Sequence, residues 1–193
     1  RATTCDEKGS IWFGLNSGSL GKWDGAVHKF FTYKNSLSFQ NEDATLISDV
    51  LINKQKEIWV STYGRGFYRF DPLHEQIVES YVVRNSDSTV TSVNSLTQIN
   101  DSIIGISTVS KGVLLFNEKQ KNFTSITIKD GLPVDAISGM AEDKQKNLWI
   151  ATSSGLVRIN IRDQKLVSFD EDDGLLEKNF GHKITTLRDG RMA

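Results

Sequence analysis

Leu148-Trp149-Ile150-Ala151 is the stretch whose reading decides the fold, because the chain repeats it. Ile11-Trp12-Phe13-Gly14 and Ile58-Trp59-Val60-Ser61 carry the same phrase, and Ile104-Gly105-Ile106-Ser107 carries it with glycine in place of tryptophan. The centres at residues 12, 59, 105 and 149 lie 47, 46 and 44 residues apart. A near-constant period of this size marks a repeat architecture in which each unit is one supersecondary element. Repeat units supply a scaffold, so binding chemistry is sought in the loops that join them.

Reading outward from Trp149 gives four short strands. Ala136 to Glu142 is the first, and Asp143-Lys144-Gln145-Lys146-Asn147 is a polar turn. Leu148 to Thr152 is the second, continuously apolar as expected for a strand covered on both faces. Ser153-Ser154-Gly155 turns the chain into Leu156 to Asn160, and Leu166 to Phe169 closes the unit. The second unit repeats this through Ile47–Ile52, Ile58–Thr62, Phe67–Asp71 and Ile77–Val83. The third runs through Ser92–Ile99, Ser102–Thr108, Gly112–Asn117 and Phe123–Ile128. The first has Arg1–Cys5, Ile11–Leu15, Leu20–Asp24 and Lys29–Tyr33. The strands are rich in β-branched and aromatic residues, the turns in Gly, Asn and Asp, and no long stretch follows a 3.6-residue period.

The expected fold is therefore all-β, a β-propeller of four-stranded antiparallel blades with about four blades present. The units span roughly 1–35, 36–85, 86–130 and 131–170. A further first strand is expected at Lys183 to Arg188, and Asp189-Gly190-Arg191-Met192 reads as the start of another tryptophan-type strand. The chain, which starts at Arg1, reads as an excised piece, and residues 1–193 as an incomplete fragment of a larger propeller. Trp12, Trp59 and Trp149 are expected to fill the gaps between blades. At Gly105 a neighbour must fill the missing volume or a backbone must approach closely. An open arc would leave a blade face exposed at each end, which favours self-association.

Composition narrows the function classes. Of 193 residues, 38% are hydrophobic and 24% charged, which describes a globular chain rather than a disordered one. A formal net charge of −1 argues against nucleic acid as a partner. No apolar run approaches the length needed to span a bilayer, so no membrane contact is expected within the chain. Cys5, the single cysteine, excludes an intrachain disulfide and a cysteine-cluster metal site, and is expected to be a small buried strand residue.

The phrases KNLWIATSSGLVRIN (146–160) and KEIWVSTYGRGFYRFDP (56–72) resemble the two-component regulator propeller repeat. DGLPVDAISGMAEDKQKNLWIAT (130–152) does so as well, joining an Asp-Gly-Leu loop to the Trp149 strand, and a second such loop stands at Asp173-Gly174-Leu175. The resemblance covers nearly the whole chain, strongly in units two and four and weakly in unit three. It implies the extracytoplasmic sensor region of a Bacteroidetes hybrid two-component histidine kinase, where such repeats form seven-bladed propellers ahead of a β-sandwich, a membrane helix and kinase modules. It implies a periplasmic module of an inner-membrane protein that detects an oligosaccharide and signals by dimer rearrangement. The chain itself would be no enzyme, any kinase activity lying elsewhere in the parent protein.

Nothing in the sequence reads as a catalytic centre or a cofactor site. His28, His74 and His182 fall in separate units without metal-ligand spacing, and His28 and His74 are read as turn residues. Glu171-Asp172-Asp173 lacks the alternating spacing of a calcium loop and reads as a solvated loop. Lys54-Gln55-Lys56 and Lys144-Gln145-Lys146 read as polar hairpin turns repeated with their blades. The best places for ligand residues are the loops joining second to third strands and those joining a fourth strand to the next first strand. The candidates are Tyr63 and Arg65, with Asn16 and Lys111 in related turns. An aromatic ring stacks on the apolar face of a sugar, and a guanidinium binds carboxylate or sulfate in a fork. Against this, Gly64 and Gly66 have a purely structural reading as formers of a tight turn. Two alternatives stand beside the sensor. SIWFGLNSGSLGKWDG (10–25) is also similar to repeats of streptogramin-lyase-type propeller enzymes, which use a metal and histidine. The other alternative is a non-sensing protein-interaction scaffold.

Overall fold

The computed structural model describes residues 2–31, 46–161, 163, 165–177, 179–181 and 184. Sixteen strands among them form four sheets of four, each a simple antiparallel meander. The first sheet holds β1 (Thr3–Cys5), β2 (Ile11–Gly14), β3 (Leu20–Trp23) and β4 (His28–Phe31). The second holds β5 (Ile47–Ile52), β6 (Ile58–Thr62), β7 (Gly66–Asp71) and β8 (Gln76–Tyr81). The third holds β9 (Val93–Asn100), β10 (Ile103–Thr108), β11 (Val113–Asn117) and β12 (Asn122–Ile126), and the fourth β13 (Ile137–Glu142), β14 (Asn147–Thr152), β15 (Gly155–Asn160) and β16 (Lys165–Phe169). Each sheet is the meander of a propeller blade. Of the expected strand at 183–188 only residue 184 is described, and the segment 189–192, His182 and Tyr33 lie outside the described residues.

The chain forms two compact units, Arg1–Leu96 and Thr97–Ala193, each with its own apolar core. In the first unit, Trp12, Leu20 and Phe31 of the first sheet pack on Val50, Ile58, Val60, Tyr68 and Phe70 of the second. In the second unit, Ile99, Val113 and Ile126 of the third sheet pack on Met140, Leu148, Ile150, Val157 and Ile159 of the fourth. Both cores follow from period-two side-chain alternation. One face of each sheet carries the tryptophan position, and the opposite face carries the aliphatic residues on either side of it.

The tryptophan position heads a column across each sheet. Trp12 lies opposite Lys22, Trp59 opposite Arg69 and Trp149 opposite Arg158. The cation sits over the indole at 5.1 Å for Lys22 and 5.7 Å for Arg158. An aromatic from the fourth strand completes the column, Phe31 stacking on Trp12 at 5.8 Å and Phe169 on Trp149 at 5.4 Å. The third sheet replaces the whole column, with Gly105 opposite Leu115 and Ile126 on the last strand. A Cβ at Gly105 would lie 2.9 Å from Cδ1 of Ile99 and 3.3 Å from Cε of Met140. Neighbouring side chains therefore fill the volume, as expected for this position.

Turns before the second strand are clipped by a side chain six residues ahead of the tryptophan. Asp6 Oδ1 accepts from the backbone N–H of Lys8 and Ser10, and its Oδ2 accepts the indole N–H of Trp12 at 3.1 Å. Asp143 likewise accepts from Asn147 N–H at 2.8 Å and from the Trp149 indole at 2.9 Å. Asn53 accepts from Glu57 N–H at 2.8 Å at the same place in the second sheet. At the corresponding position the third sheet carries Ile99. Burial disfavours the charged form of Asp143, but the hydrogen bonds from Asn147, Trp149 and Gln145 outweigh it and hold the carboxyl below the ordinary range. A depressed carboxyl stabilises the fold above its unfolded pKa and loses that contribution as pH falls through the folded value. Asp143→Asn is therefore expected to melt below the parent at neutral pH, with the gap closing below about pH 4. Thermal melts from pH 7 to pH 3 check this, and a gap unchanged across that range would refute it.

Asp49 links one blade to the next. It is 1% exposed and sits where β5 shifts register against β6. Its Oδ1 accepts from Val50 N–H and its Oδ2 from Leu96 N–H of β9, each at 2.9 Å. Removing the acceptor from a buried N–H costs about 1–3 kcal/mol, so Asp49→Ala is expected to destabilise by that amount in urea denaturation.

Three expectations are corrected. Cys5 lies in β1 but is exposed, because its side chain shares the uncovered face of the first sheet with Ile11. Trp149 is half-buried, whereas Trp12 and Trp59 are 2% and 0% exposed. His28 begins β4 instead of lying in a turn, and its ring stacks on Trp23 at 6.1 Å. The fourth strands of the second and third sheets also stop two residues short of expectation, at Tyr81 and Ile126. In the third sheet, Thr127 then caps a short 3-10 turn at Ile128–Asp130.

Candidate ligand-binding turns

The turn between second and third strands is built the same way in three sheets. A buried threonine ends the second strand and donates its hydroxyl to the carbonyl of the glycine that opens or precedes the third. Thr62 bonds Gly66 O at 3.0 Å, Thr108 bonds Gly112 O at 2.9 Å and Thr152 bonds Gly155 O at 2.8 Å. These glycines have positive φ, and a Cβ on any of them would collide with a fourth-strand carbonyl: Tyr81 O, Ile126 O or Phe169 O. The backbone of the last strand thus passes directly over the turn, which holds its tip rigidly.

Tyr63 and Arg65 share such a turn. Tyr63 is 44% exposed, Arg65 half-buried, and Gly64 between them has φ +82. The Tyr63 N–H donates to Leu46 O at 3.0 Å, tying the turn to the segment that leads into β5. Asn16 is exposed in the corresponding turn of the first sheet. Lys111 is half-buried in that of the third, its N–H bound to Thr108 Oγ1 at 2.8 Å. Ile47 N–H reaches Leu15 O at 3.4 Å in the first unit, and Gly112 N–H reaches Asp135 O at 2.9 Å in the second. Within each unit these turns and the loops between blades therefore share one edge. Tyr63 and Arg65 are brought together by one turn, and Asn16 and Lys111 sit in their own equivalents of it.

Other polar groups take structural places. Asp170 caps a 3-10 turn at Glu171–Asp173, accepting from Asp172 N–H at 2.9 Å while Asp173 accepts from Asp170 N–H at 3.1 Å. Lys56 pairs with Glu7 and Lys146 with Glu142, both at 2.7 Å. Asp71 accepts from His74 at 2.6 Å, and that bond with the neighbouring backbone N–H groups holds its carboxyl below the ordinary range. Among the described residues no three His, Cys, Asp or Glu side chains converge as metal ligands. No described helix is long and apolar enough to cross a membrane.

One cluster is not visible from the sequence alone. Arg69 Nη1 lies 3.0 Å from Glu57 and its Nε donates to Glu79 at 2.6 Å, while Tyr81 donates to the other Glu79 oxygen at 2.9 Å. Burial, the Glu79 bond and its charge push the Tyr81 hydroxyl up to about 12, so it stays a donor. Spacing offers a signal for this column. The cation follows the tryptophan by ten residues at Lys22 and Arg69 and by nine at Arg158.

Residues 131–154 match the two-component regulator propeller family. Over 179 residues the chain is 27% identical to histidine kinase P4 of Formosa agariphila, covering 88% of this chain and 13% of that protein. The extracellular domain of a protein assigned as a hybrid two component system from B. thetaiotaomicron has the same fold. Its TM-score is 0.79 at 18% identity, covering all of this chain and 26% of that one. Virginiamycin B lyase from Staphylococcus aureus superposes with a TM-score of 0.74 at 14% identity, over 99% of this chain and 61% of the lyase. At such identities the two structures establish the fold alone. The chain thus has a β-propeller fold in which residues 131–154 match the two-component regulator propeller repeat.

Proposed function

We propose that the chain is part of the ligand-sensing region of a hybrid two-component histidine kinase, placed outside the cytoplasm. The observation that carries this reading is the likeness to a histidine kinase across 88% of the chain, together with the propeller repeat at 131–154. The chain spans about an eighth of that relative, so catalysis of phosphoryl transfer is assigned to other parts of a parent protein. The ligand is an oligosaccharide, held at the turn edge of the first unit with Tyr63 as a stacking platform, Arg65 as an anion clamp and Asn16 in the equivalent turn of the first sheet, while Lys111 offers a cation in the equivalent turn of the second unit. Binding signals by changing how two copies pack, which requires different affinities for the two arrangements.

Calorimetry with a panel of neutral and anionic oligosaccharides on the sensor region tests this. Saturable binding is expected, weakened about tenfold or more by Tyr63→Ala, since loss of a stacking contact is worth more than 1 kcal/mol. Anionic sugars should lose more with Arg65→Ala than neutral ones. Heat of binding from no member of the panel would sink the oligosaccharide reading.

A further inference from the structure

The connection that follows β8 is a hairpin of its own, and it belongs to the same unit as the Tyr63–Arg65 turn. Thr91 N–H donates to Val83 O at 2.9 Å and Asn85 N–H to Thr89 O at 2.8 Å, and Arg84 bridges to Val90. Its base is buried at Val83 and Thr91, while residues 86–89 are exposed. The connection that follows β12 is of nearly the same length, yet it runs through the 3-10 turn at Ile128–Asp130. Joining two blades therefore does not require a hairpin.

The backbone sets this hairpin beside the turn. A Cβ on Gly66 would meet the Tyr81 carbonyl and lie 3.0 Å from Val82 Cα. Arg65 comes one residue before Gly66 and Arg84 two residues after Val82, so the two arginines leave the backbone at neighbouring points of one edge. Tyr63 and Val82 are 44% and 46% exposed, which gives that edge apolar surface as well.

Arg84 is oriented in advance. Its Nη1 donates to Ser88 O at 2.9 Å, and Ser88 is held in a left-handed backbone, φ +69, with its N–H bound to Asn85 O at 3.0 Å. That bond uses one of the five N–H groups of an exposed guanidinium. The partner is a carbonyl and carries no charge to offset the arginine. Arg69 in the same sheet differs, because Glu57 and Glu79 both pair with it. Asp87, the acid of the hairpin, is committed through Oδ1 to the N–H and hydroxyl of Thr89.

We infer that the β8–β9 hairpin is a wall of the turn-edge site and that Arg84 is its second anion clamp, so that the ligand is an acidic oligosaccharide bearing carboxylate or sulfate at more than one position. An anion held by two guanidinium forks gains from both. This rests on the reading of the edge as a sugar site, which Tyr63 and Arg65 alone leave open to neutral sugars.

Calorimetry on the same sensor region tests it, with uronate trisaccharides, sulfated trisaccharides and the methyl esters of the uronates. The esters keep the shape of the acids and remove the charge. A uronate or a sulfated sugar is expected to bind about tenfold or more tighter than the neutral ester and to weaken as salt rises, and the arm that binds identifies the anionic group. Arg84→Gln should cost the acidic sugar about tenfold and leave the ester unchanged, and Arg84→Lys should recover part of the loss. A merely structural role, lost with the Ser88 bond, would lower both affinities alike. The acid-to-ester ratio separates the two cases, and a ratio unmoved by Arg84→Gln would overturn the inference. Acid and ester bound equally by the parent would overturn it while leaving the oligosaccharide reading in place. Binding of none of the three sets would overturn both.

Discussion

Gly66→Ala is expected to destabilise the protein by about 3 kcal/mol or more, whereas Gly64→Ala, two residues away, costs only about 1 kcal/mol. Both glycines have left-handed backbones, with φ +80 and +82, so an alanine suffers the same conformational penalty at either. They differ in what the new methyl group meets. At Gly64 nothing lies within 4 Å, while at Gly66 the methyl falls on the carbonyl of Tyr81 and close to the Val82 backbone. A backbone carbonyl held in the β7–β8 ladder cannot step aside without breaking that ladder, so overpacking adds to the strain. Urea denaturation of the two variants measures the difference. Equal effects would show that the last strand yields, and that the turn is less rigid than the Thr62 bond implies. Gly112 and Gly155 occupy the same place and should behave as Gly66 does.

That repeated glycine explains why so much of the fold can be read from the sequence. Ile47–Ile52 and Ile58–Thr62 begin and end where the apolar runs and polar turns put them, because each strand is bounded by chemistry local to it. Features set by a neighbour were not legible. Trp149 stands in the same phrase as Trp59, yet its burial depends on whether another face covers the fourth sheet, and no residue of β14 encodes that. Cys5 fails for the same reason, since a β1 side chain is buried only if something packs on the first sheet. The cation column escaped because register depends on hairpin length, ten residues from tryptophan to cation in two blades and nine in a third. At the turn edge, the exposure of Tyr63 followed from its glycines, whereas Arg65 is half-buried, which a turn sequence does not reveal.

The third sheet shows that the tryptophan column is one cooperative choice, and this sets the effect of breaking it elsewhere. Where Gly105 replaces tryptophan, Ile99 replaces the clipping acid, Leu115 the cation and Ile126 the aromatic. Four substitutions together exchange a polar-edged aromatic stack for an aliphatic one in which Ile99 and Met140 close around Gly105. A single substitution makes no such exchange. Trp59 is 0% exposed, its ring 5.8 Å from Phe67 and 6.3 Å from Tyr81. The position corresponding to Ile99 holds Asn53, whose side chain is committed to Glu57 and cannot fill a void. Trp59→Ala should therefore leave most of the indole volume empty and cost about 3–5 kcal/mol. Trp149→Ala should cost distinctly less, because part of that ring faces water already and its removal leaves an open groove in place of a closed cavity. Chemical denaturation followed by far-ultraviolet circular dichroism ranks the two. If Trp149→Ala proved as costly as Trp59→Ala, the indole of Trp149 would have to be as fully covered in solution as that of Trp59.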